Sequence, residues 1–325
     1  MEKIKFSQLD IPIIRSCNLA CVGCMTHSDH KNVKGLVNLE ESLDWLKFWG
    51  ERLQPETVTV FGGEPLLHPN FVQWTETVKS IWTKSDIKVN TNGYYLNNLL
   101  DNVDTLFAPG TNMKIIVSVQ TGVEPYLSKV KENIAIFKQK IIDYYLSLPG
   151  VTRAEWDLWL DEYDINTKQW FRLMVNDGWT DIGLTTCDQY KLPWCGHYVG
   201  FGEDMRPTYD YNDVHADGNH KFCQAKEFVT LYKGTLFKCP PIGVLEHSLT
   251  TFGIENHPSW VPYLQDYKRL PTTATDEQIQ EWFSNQCNPE NVCNMCGFTG
   301  PGYTGVPADS GARSHHLKNY WNYTL

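Results

Sequence analysis

Three cysteines, Cys17, Cys21 and Cys24, stand four and three residues apart in the stretch CNLACVGC. Thiolate sulfur is a soft ligand that suits zinc or an iron–sulfur cluster. Three is an awkward number, since a closed metal site wants four ligands and a disulfide framework an even count. Zinc would need a fourth ligand, for which His27 or His30 is available. A cubane cluster held by three cysteines instead leaves one iron open to an outside ligand. Later in the chain come Cys223, Cys239, Cys287, Cys293 and Cys296, with Cys187 and Cys195 between the two groups. Cys287, Cys187 and Cys195 read as free thiols, or as substitutes for one of the later ligands. Gly62-Gly63-Glu64-Pro65 adds paired glycines, which permit close backbone approach, and a carboxylate suited to an ammonium group. An ordinary strand-to-helix turn explains the same four residues equally well.

The bulk composition narrows the setting. A chain of 325 residues can bury a large core, as one domain or as a domain with a smaller module. With 28 Lys+Arg against 38 Asp+Glu it is acidic, so neither a nucleic acid nor an anionic membrane is an expected partner. The start, MEKIKFSQLD, lacks an apolar leader segment, and no apolar run reaches membrane-spanning length. These features predict a cytoplasmic protein, where cysteines serve metals or redox chemistry more often than disulfides.

The elements that must hold these residues follow from periodicity. Short apolar runs alternate with helical patterns, the signature of βα units and a parallel sheet. Strands are expected at 11–14, 57–61, 87–90 and 114–119, with later ones at 154–160 and 181–186. Asn38 is a helix cap, followed by Leu43, Leu46, Trp49 and Leu53 on one face. Phe71, Trp74, Val78 and Ile81 mark a second helix, Leu99 to Leu106 a third and 126–148 a long fourth. The sum is about six βα repeats. From 187 to 222 the periodicity disappears, and the chain divides into 1–200 and 201–325. KEFVTLYKGTLFKC then reads as a hairpin turned at Lys233-Gly234, and 275–286 as a helix.

Strand alternation assigns faces. If Val58, Val60, Ile115, Val117 and Val119 meet the helices, then Thr59, Ser118 and Gln120 face the opposite, inner side. The same reasoning turns Glu155, Asp157 and Trp159 inward, as candidates for substrate hydroxyl or amine contacts or as a solvated face.

At Cys17-x3-Cys21-x2-Cys24 the sequence resembles the radical S-adenosylmethionine (SAM) superfamily. The resemblance implies a partial (βα)6 barrel and a [4Fe–4S] cluster whose open iron chelates SAM. It further implies reductive cleavage of SAM to methionine and a 5′-deoxyadenosyl radical that abstracts hydrogen from a substrate. Gly62, Gly63, Glu64 and Pro65 match the family motif for the SAM amino group. Thr91 and Asn92, with Ser118 and Gln120, resemble positions that contact the cofactor's ribose or carboxylate. Turn chemistry is the plain alternative for Thr91 and Asn92. One departure is Gly23, where the family often has an aromatic residue.

The later cysteines, Cys223-x10-Gly234-x4-Cys239 followed by Cys293-x2-Cys296, resemble the twitch module, the short form of SPASM. That implies a second domain with an auxiliary [4Fe–4S] cluster; a four-cysteine zinc site uses similar geometry. The combination resembles twitch-bearing dehydrogenases and implies oxidation or rearrangement of a small polar metabolite, with a flavodoxin or ferredoxin as reductant. Asp188, Tyr190, His197, Glu203, Asp204 and Arg206, from the irregular segment, are candidates for substrate contacts or a base. A peptide- or protein-modifying SPASM maturase is the alternative enzyme. A zinc-binding interaction protein is the non-enzymatic one.

Overall fold

A computed structural model describes residues 2–21, 23–30, 33–159, 168–189, 197–208, 220, 223 and 227–296. Parallel βα alternation builds its first part. Strand β1 (Ile4–Ile14) leads to α1 (Leu39–Arg52), β2 (Leu53–Gly62), α2 (Phe71–Ile81) and β3 (Asp86–Thr91). A 3₁₀ turn over Leu96–Asn102 and α3 (Val103–Leu106) then precede β4 (Met113–Ser118) and α4 (Tyr126–Leu146). Asn38 caps α1 as its side chain demands, accepting the Glu40 and Glu41 amides, and both glutamates stand at the positive end of the helix.

The βα rhythm stops after α4. Instead of further crossovers the chain forms a meander, β5 (Ala154–Trp159), β6 (Lys168–Val175) and β7 (Gly178–Cys187), with β6 antiparallel to both neighbours. The expected count of six repeats is corrected here, and β6 is the strand that the periodicity omits. Its sequence, KQWFRLMV, places large apolar residues on both faces and shifts register between Arg172 and Met174, so it shows no clean alternation.

Beyond β7 come the short pair β8 (Tyr198–Val199) and β9 (Arg206–Pro207), then β10 (Phe228–Tyr232) and β11 (Thr235–Phe237). The β10–β11 hairpin turns at Lys233 and Gly234, both with positive φ, as a two-residue loop requires. Helices α5 (Pro240–Phe252), α6 (Val261–Leu264) and α7 (Asp276–Ser284) complete the described chain. Thr275 and Gln278 cap α7 reciprocally.

One sheet gathers all the strands except β8 and β9, in the order β11-β10-β1-β2-β3-β4-β7-β6-β5. Its parallel part runs from β10 to β7, and β10 is laid beside β1 from the far end of the sequence. The faces separate cleanly. Ile11, Val60, Val89, Ile115 and Leu184 lie in register on an apolar face and are buried. The row beside them is polar: Thr230, Asp10, Thr59, Lys88, Lys114, Gly183, Arg172 and Asp157 follow one another across eight strands. Helix α5 packs on this inner face at β10, where a Cβ on Gly243 would lie 2.9 Å from the Thr230 methyl. Among the described residues no helix is long and apolar enough to cross a membrane.

Candidate functional site

The cysteine loop begins where β1 ends, and the paired glycines seat it there. The Gly63 amide donates to the Ile14 carbonyl at 2.8 Å and the Glu64 amide to Ser16 at 3.0 Å. A Cβ on Gly62 would stand 2.2 Å from the Ile14 oxygen, and one on Gly63 2.2 Å from the Ser16 oxygen. Close approach is therefore what these glycines provide, and the partner is the root of the cysteine loop itself.

Glu64 ties three strand ends together. Its Oε1 accepts the Thr91 hydroxyl at 2.7 Å and the Leu66 amide at 3.1 Å, while Oε2 accepts the Asn92 amide at 2.8 Å. Burial pushes the carboxyl up to about 7, against the pull of these donors. Asn92 passes the link on, its side-chain nitrogen donating to Asn18 Oδ1 at 2.8 Å and lying 3.8 Å from Cys17 Sγ. Pro65 starts a 3₁₀ turn beneath them. Ser118 ends β4 opposite Cys187 and is half-buried, and the Gln120 amide donates to the Tyr126 hydroxyl.

The three thiols are half-buried within this frame. Burial, then the neighbouring Cys21 and Glu64, push the Cys17 thiol well up, although the Leu19 amide donates to its sulfur at 3.4 Å. Cys24 is raised by burial and then by Asp29. Neighbouring sulfurs that resist ionisation together become good ligands once a cationic centre lies between them. Among the described residues no three His, Cys, Asp or Glu side chains converge closely enough for a single metal ion. An all-thiolate donor set is the chemistry that iron–sulfur clusters take.

Behind the loop lies a network that the sequence did not announce. Arg15 Nε donates to the Thr26 carbonyl at 3.0 Å and Nη2 to Ser248 Oγ at 2.7 Å. Ser248 also meets His27 Nδ1 at 2.7 Å, and His27 Nε2 lies 2.7 Å from His197 Nε2. His197 is thus buried against the cysteine loop, and burial lowers its imidazole to about 3, which suits a neutral hydrogen-bonding partner. The Tyr198 hydroxyl donates to Asp29 at 2.5 Å. Arg15 and Ser248 are separated by most of the chain, so no local pattern signals their pairing.

Cys223, Cys239 and Cys293 also lie within electrostatic reach of one another. Cys239 caps α5, and its thiol is raised by burial and then by Cys223, with Cys293 also within electrostatic reach. Cys293 and Cys296 follow Glu290 in a 3₁₀ turn, where the Cys296 amide donates to the Cys293 carbonyl. Lys238, buried, fastens the two segments by donating to the Gln286 carbonyl at 2.6 Å and to Glu290 at 3.0 Å. Cys287 is exposed.

The remaining candidates are scattered. Glu155 is half-buried and pairs with Arg153; Asp157 is exposed and stands opposite Arg172 near the sheet's outer edge. Asp188 is half-buried, whereas Glu203 and Asp204 are exposed. Arg206 donates to the carbonyls of Glu203 and Met205, within its own turn. Tyr190 and Cys195 lie outside the described residues, as does the segment after Cys296.

Residues 11–161 match the family model of the Radical SAM superfamily. This part of the chain is similar to radical SAM domains. Curated relatives share it: a GTP 3′,8-cyclase from Microcystis aeruginosa is 33% identical over 96 residues, 29% of either chain. Another from Thermodesulfovibrio yellowstonii is 29% identical over 153 residues, 40% of this chain and 47% of that one. The chain thus spans less than half the length of these curated relatives. Among solved structures, BtrN in complex with AdoMet and 2-DOIA aligns over 92% of this chain and 95% of its own, at 14% identity and a TM-score of 0.45. Radical SAM domains bind a [4Fe–4S] cluster and SAM. Cys17, Cys21 and Cys24 would hold the cluster, and Cys17 Sγ receives N–H groups from Leu19 and Asn92 of the kind that tune such centres.

Proposed function

We propose that the protein is a radical SAM enzyme that abstracts hydrogen from a small polar metabolite and oxidises or rearranges it. The observation that carries this reading is the join between Cys17, Asn92 and Glu64. One connected frame offers half-buried thiols beside the end of β2 and the end of β3. When bound, the cluster supplies the electron that cleaves SAM to methionine and a 5′-deoxyadenosyl radical.

The chain's own residues do the rest. Glu64 fixes the strand ends, and Gly62 and Gly63 let the loop sit on them. Thr91, Asn92, Ser118 and Gln120 are the proposed contacts for SAM. The inner sheet face supports a polar substrate, since Gln8, Asp10 and Lys88 form a hydrogen-bonded group there. Lys88 Nζ donates to Gln8 Oε1 at 3.0 Å, and Gln8 Nε2 to Asp10 at 2.7 Å. Oxidation of a secondary alcohol would also need a base for the hydroxyl proton and an acceptor for the second electron. An auxiliary cluster at Cys223, Cys239, Cys293 and Cys296 is the proposed acceptor, supported by the mutual approach of Cys223, Cys239 and Cys293. A flavodoxin or ferredoxin is the proposed source of the first electron.

The test is iron and sulfide content with reduced-state EPR after anaerobic reconstitution, with and without SAM, for the wild type and a Cys17/Cys21/Cys24→Ala variant. Roughly eight irons falling to about four, with loss of a SAM-sensitive signal, is the expected result for two cubanes. About four irons lost entirely in the variant would remove the auxiliary cluster, and zinc without iron would remove the radical chemistry.

A further inference from the structure

An arginine and an aspartate are buried against one corner of the cysteine loop; burial raises the aspartate carboxyl to about 7, so above that pH the two are opposite charges. Arg15 precedes Cys17 by two residues and is 1% exposed; Asp29 follows Cys24 by five and is 3% exposed. The guanidinium cannot swing away. Its Nε is held by the Thr26 carbonyl at 3.0 Å, and Nη2 by Ser248 Oγ on α5 at 2.7 Å. Thr26 in turn places its hydroxyl 3.3 Å from Cys24 Sγ. On the other side, Asp29 is anchored by the Tyr198 hydroxyl at 2.5 Å, with His30 3.9 Å away. Arg15, Asp29 and Cys24 all lie within electrostatic reach of one another.

Screening is weak at such burial, so fixed charges here act strongly on any change of charge at the sulfurs. Reduction adds one negative charge to a cluster. A fixed cation favours that change and a fixed anion opposes it, and the potentials of iron–sulfur centres respond to local charge and hydrogen bonding. Arginine suits the first role because it keeps its proton in any surroundings.

We propose that Arg15 and Asp29 are an opposed pair of positioning charges that sets the reduction potential of the cluster at Cys17, Cys21 and Cys24. Arg15 raises that potential and Asp29 lowers it, while Arg15 also fastens both ends of the loop to α5. The proposal rests on the radical SAM reading of those cysteines and goes beyond it, since ligation alone assigns no role to either charge.

The experiment is an EPR-monitored redox titration of the SAM-sensitive signal in the reconstituted full chain at pH 8.5, with dithionite and mediators. Arg15→Gln should raise the oxidised-to-reduced ratio about tenfold at the wild-type midpoint, a fall of about 59 mV for a one-electron couple. Asp29→Asn should move the ratio the other way by about threefold or more, and Arg15→Lys should stay within about twofold of wild type. Opposite signs from two substitutions are not the mark of a merely loosened loop. Shifts of one sign in both variants, midpoints unmoved in both, or Arg15→Lys behaving as Arg15→Gln would overturn the proposal. Should Arg15→Gln fail to hold iron, Asp29→Asn decides alone: a shift toward the reduced form sustains the pair, and any other result ends it. A wild type with no SAM-sensitive signal would instead overturn the cluster assignment on which the pair depends.

Discussion

Asn92 reaches from the end of β3 to Asn18, its side-chain nitrogen 2.8 Å from Asn18 Oδ1 and 3.8 Å from Cys17 Sγ. A residue that reads in the sequence as turn chemistry is thereby also a brace for the first cysteine. Asn92→Ala should cost about 1 kcal/mol of stability, the scale of one such hydrogen bond. It should also speed iron loss to a chelator, measured by absorbance decay under anaerobic conditions. Unchanged iron release would leave Asn92 with its turn role alone.

Gly63 offers a sharper test of close approach. Gly63→Ala forces a Cβ to within 2.2 Å of the Ser16 carbonyl oxygen, so the cysteine loop must move or the strand end must yield. The expected cost is about 1–3 kcal/mol, the range for overpacking. Reconstituted iron should fall with it. A variant with wild-type melting temperature and iron content would show that the glycine serves something other than this contact.

Asp10 governs a pH response away from the cysteines. Burial pushes its carboxyl up to about 6 from 3.8, against hydrogen bonding from Gln8 and the charge of Lys88. The folded chain therefore holds this proton more tightly than the unfolded one. The resulting stabilisation is complete below the unfolded value and is lost as pH rises through about 6. Relative to Asp10→Asn, wild-type stability should decline between pH 4 and pH 7 by up to roughly 3 kcal/mol, two units at 1.36 kcal/mol each. Parallel denaturation curves at all pH values would contradict this.

Lys238 is predicted to matter to the later cysteines and not to the first three. Its ammonium, 3% exposed, joins the end of β11 to Gln286 and Glu290 just before Cys293. Lys238→Met leaves those acceptors unmet at a cost of about 1–3 kcal/mol. Iron content should fall toward half while the SAM-sensitive EPR signal stays. Loss of both signals together would mean that the variant disturbs the whole fold.

Much of the architecture was written locally. The Asn38 cap, the α2 stripe from Phe71 to Ile81 and the Lys233-Gly234 turn each rest on residues within a few positions of one another. What escaped the sequence depends on distant partners. Strand β6 carries apolar residues on both faces and shifts register between Arg172 and Met174, so its period is blurred. His197 looked like a polar residue of an irregular segment; its meaning lies in His27, on the far side of the cysteine loop. The glycine pair was legible as a site of close approach, whereas the identity of what approaches, Ile14 and Ser16, needed the three-dimensional register.

The placement of β10 beside β1 has a consequence for how the protein is made. Leu9 pairs with Val229, so one edge of the strand that leads into the cysteine loop stays bare until most of the chain has been synthesised. An uncovered strand edge invites pairing with other chains. Arg15 waits equally long for Ser248. A nascent chain halted before β10 would thus hold a loop whose anchor has not yet emerged. A cluster delivered at that stage would sit in an unfinished pocket, so metal loading and completion of the chain should be tightly ordered events.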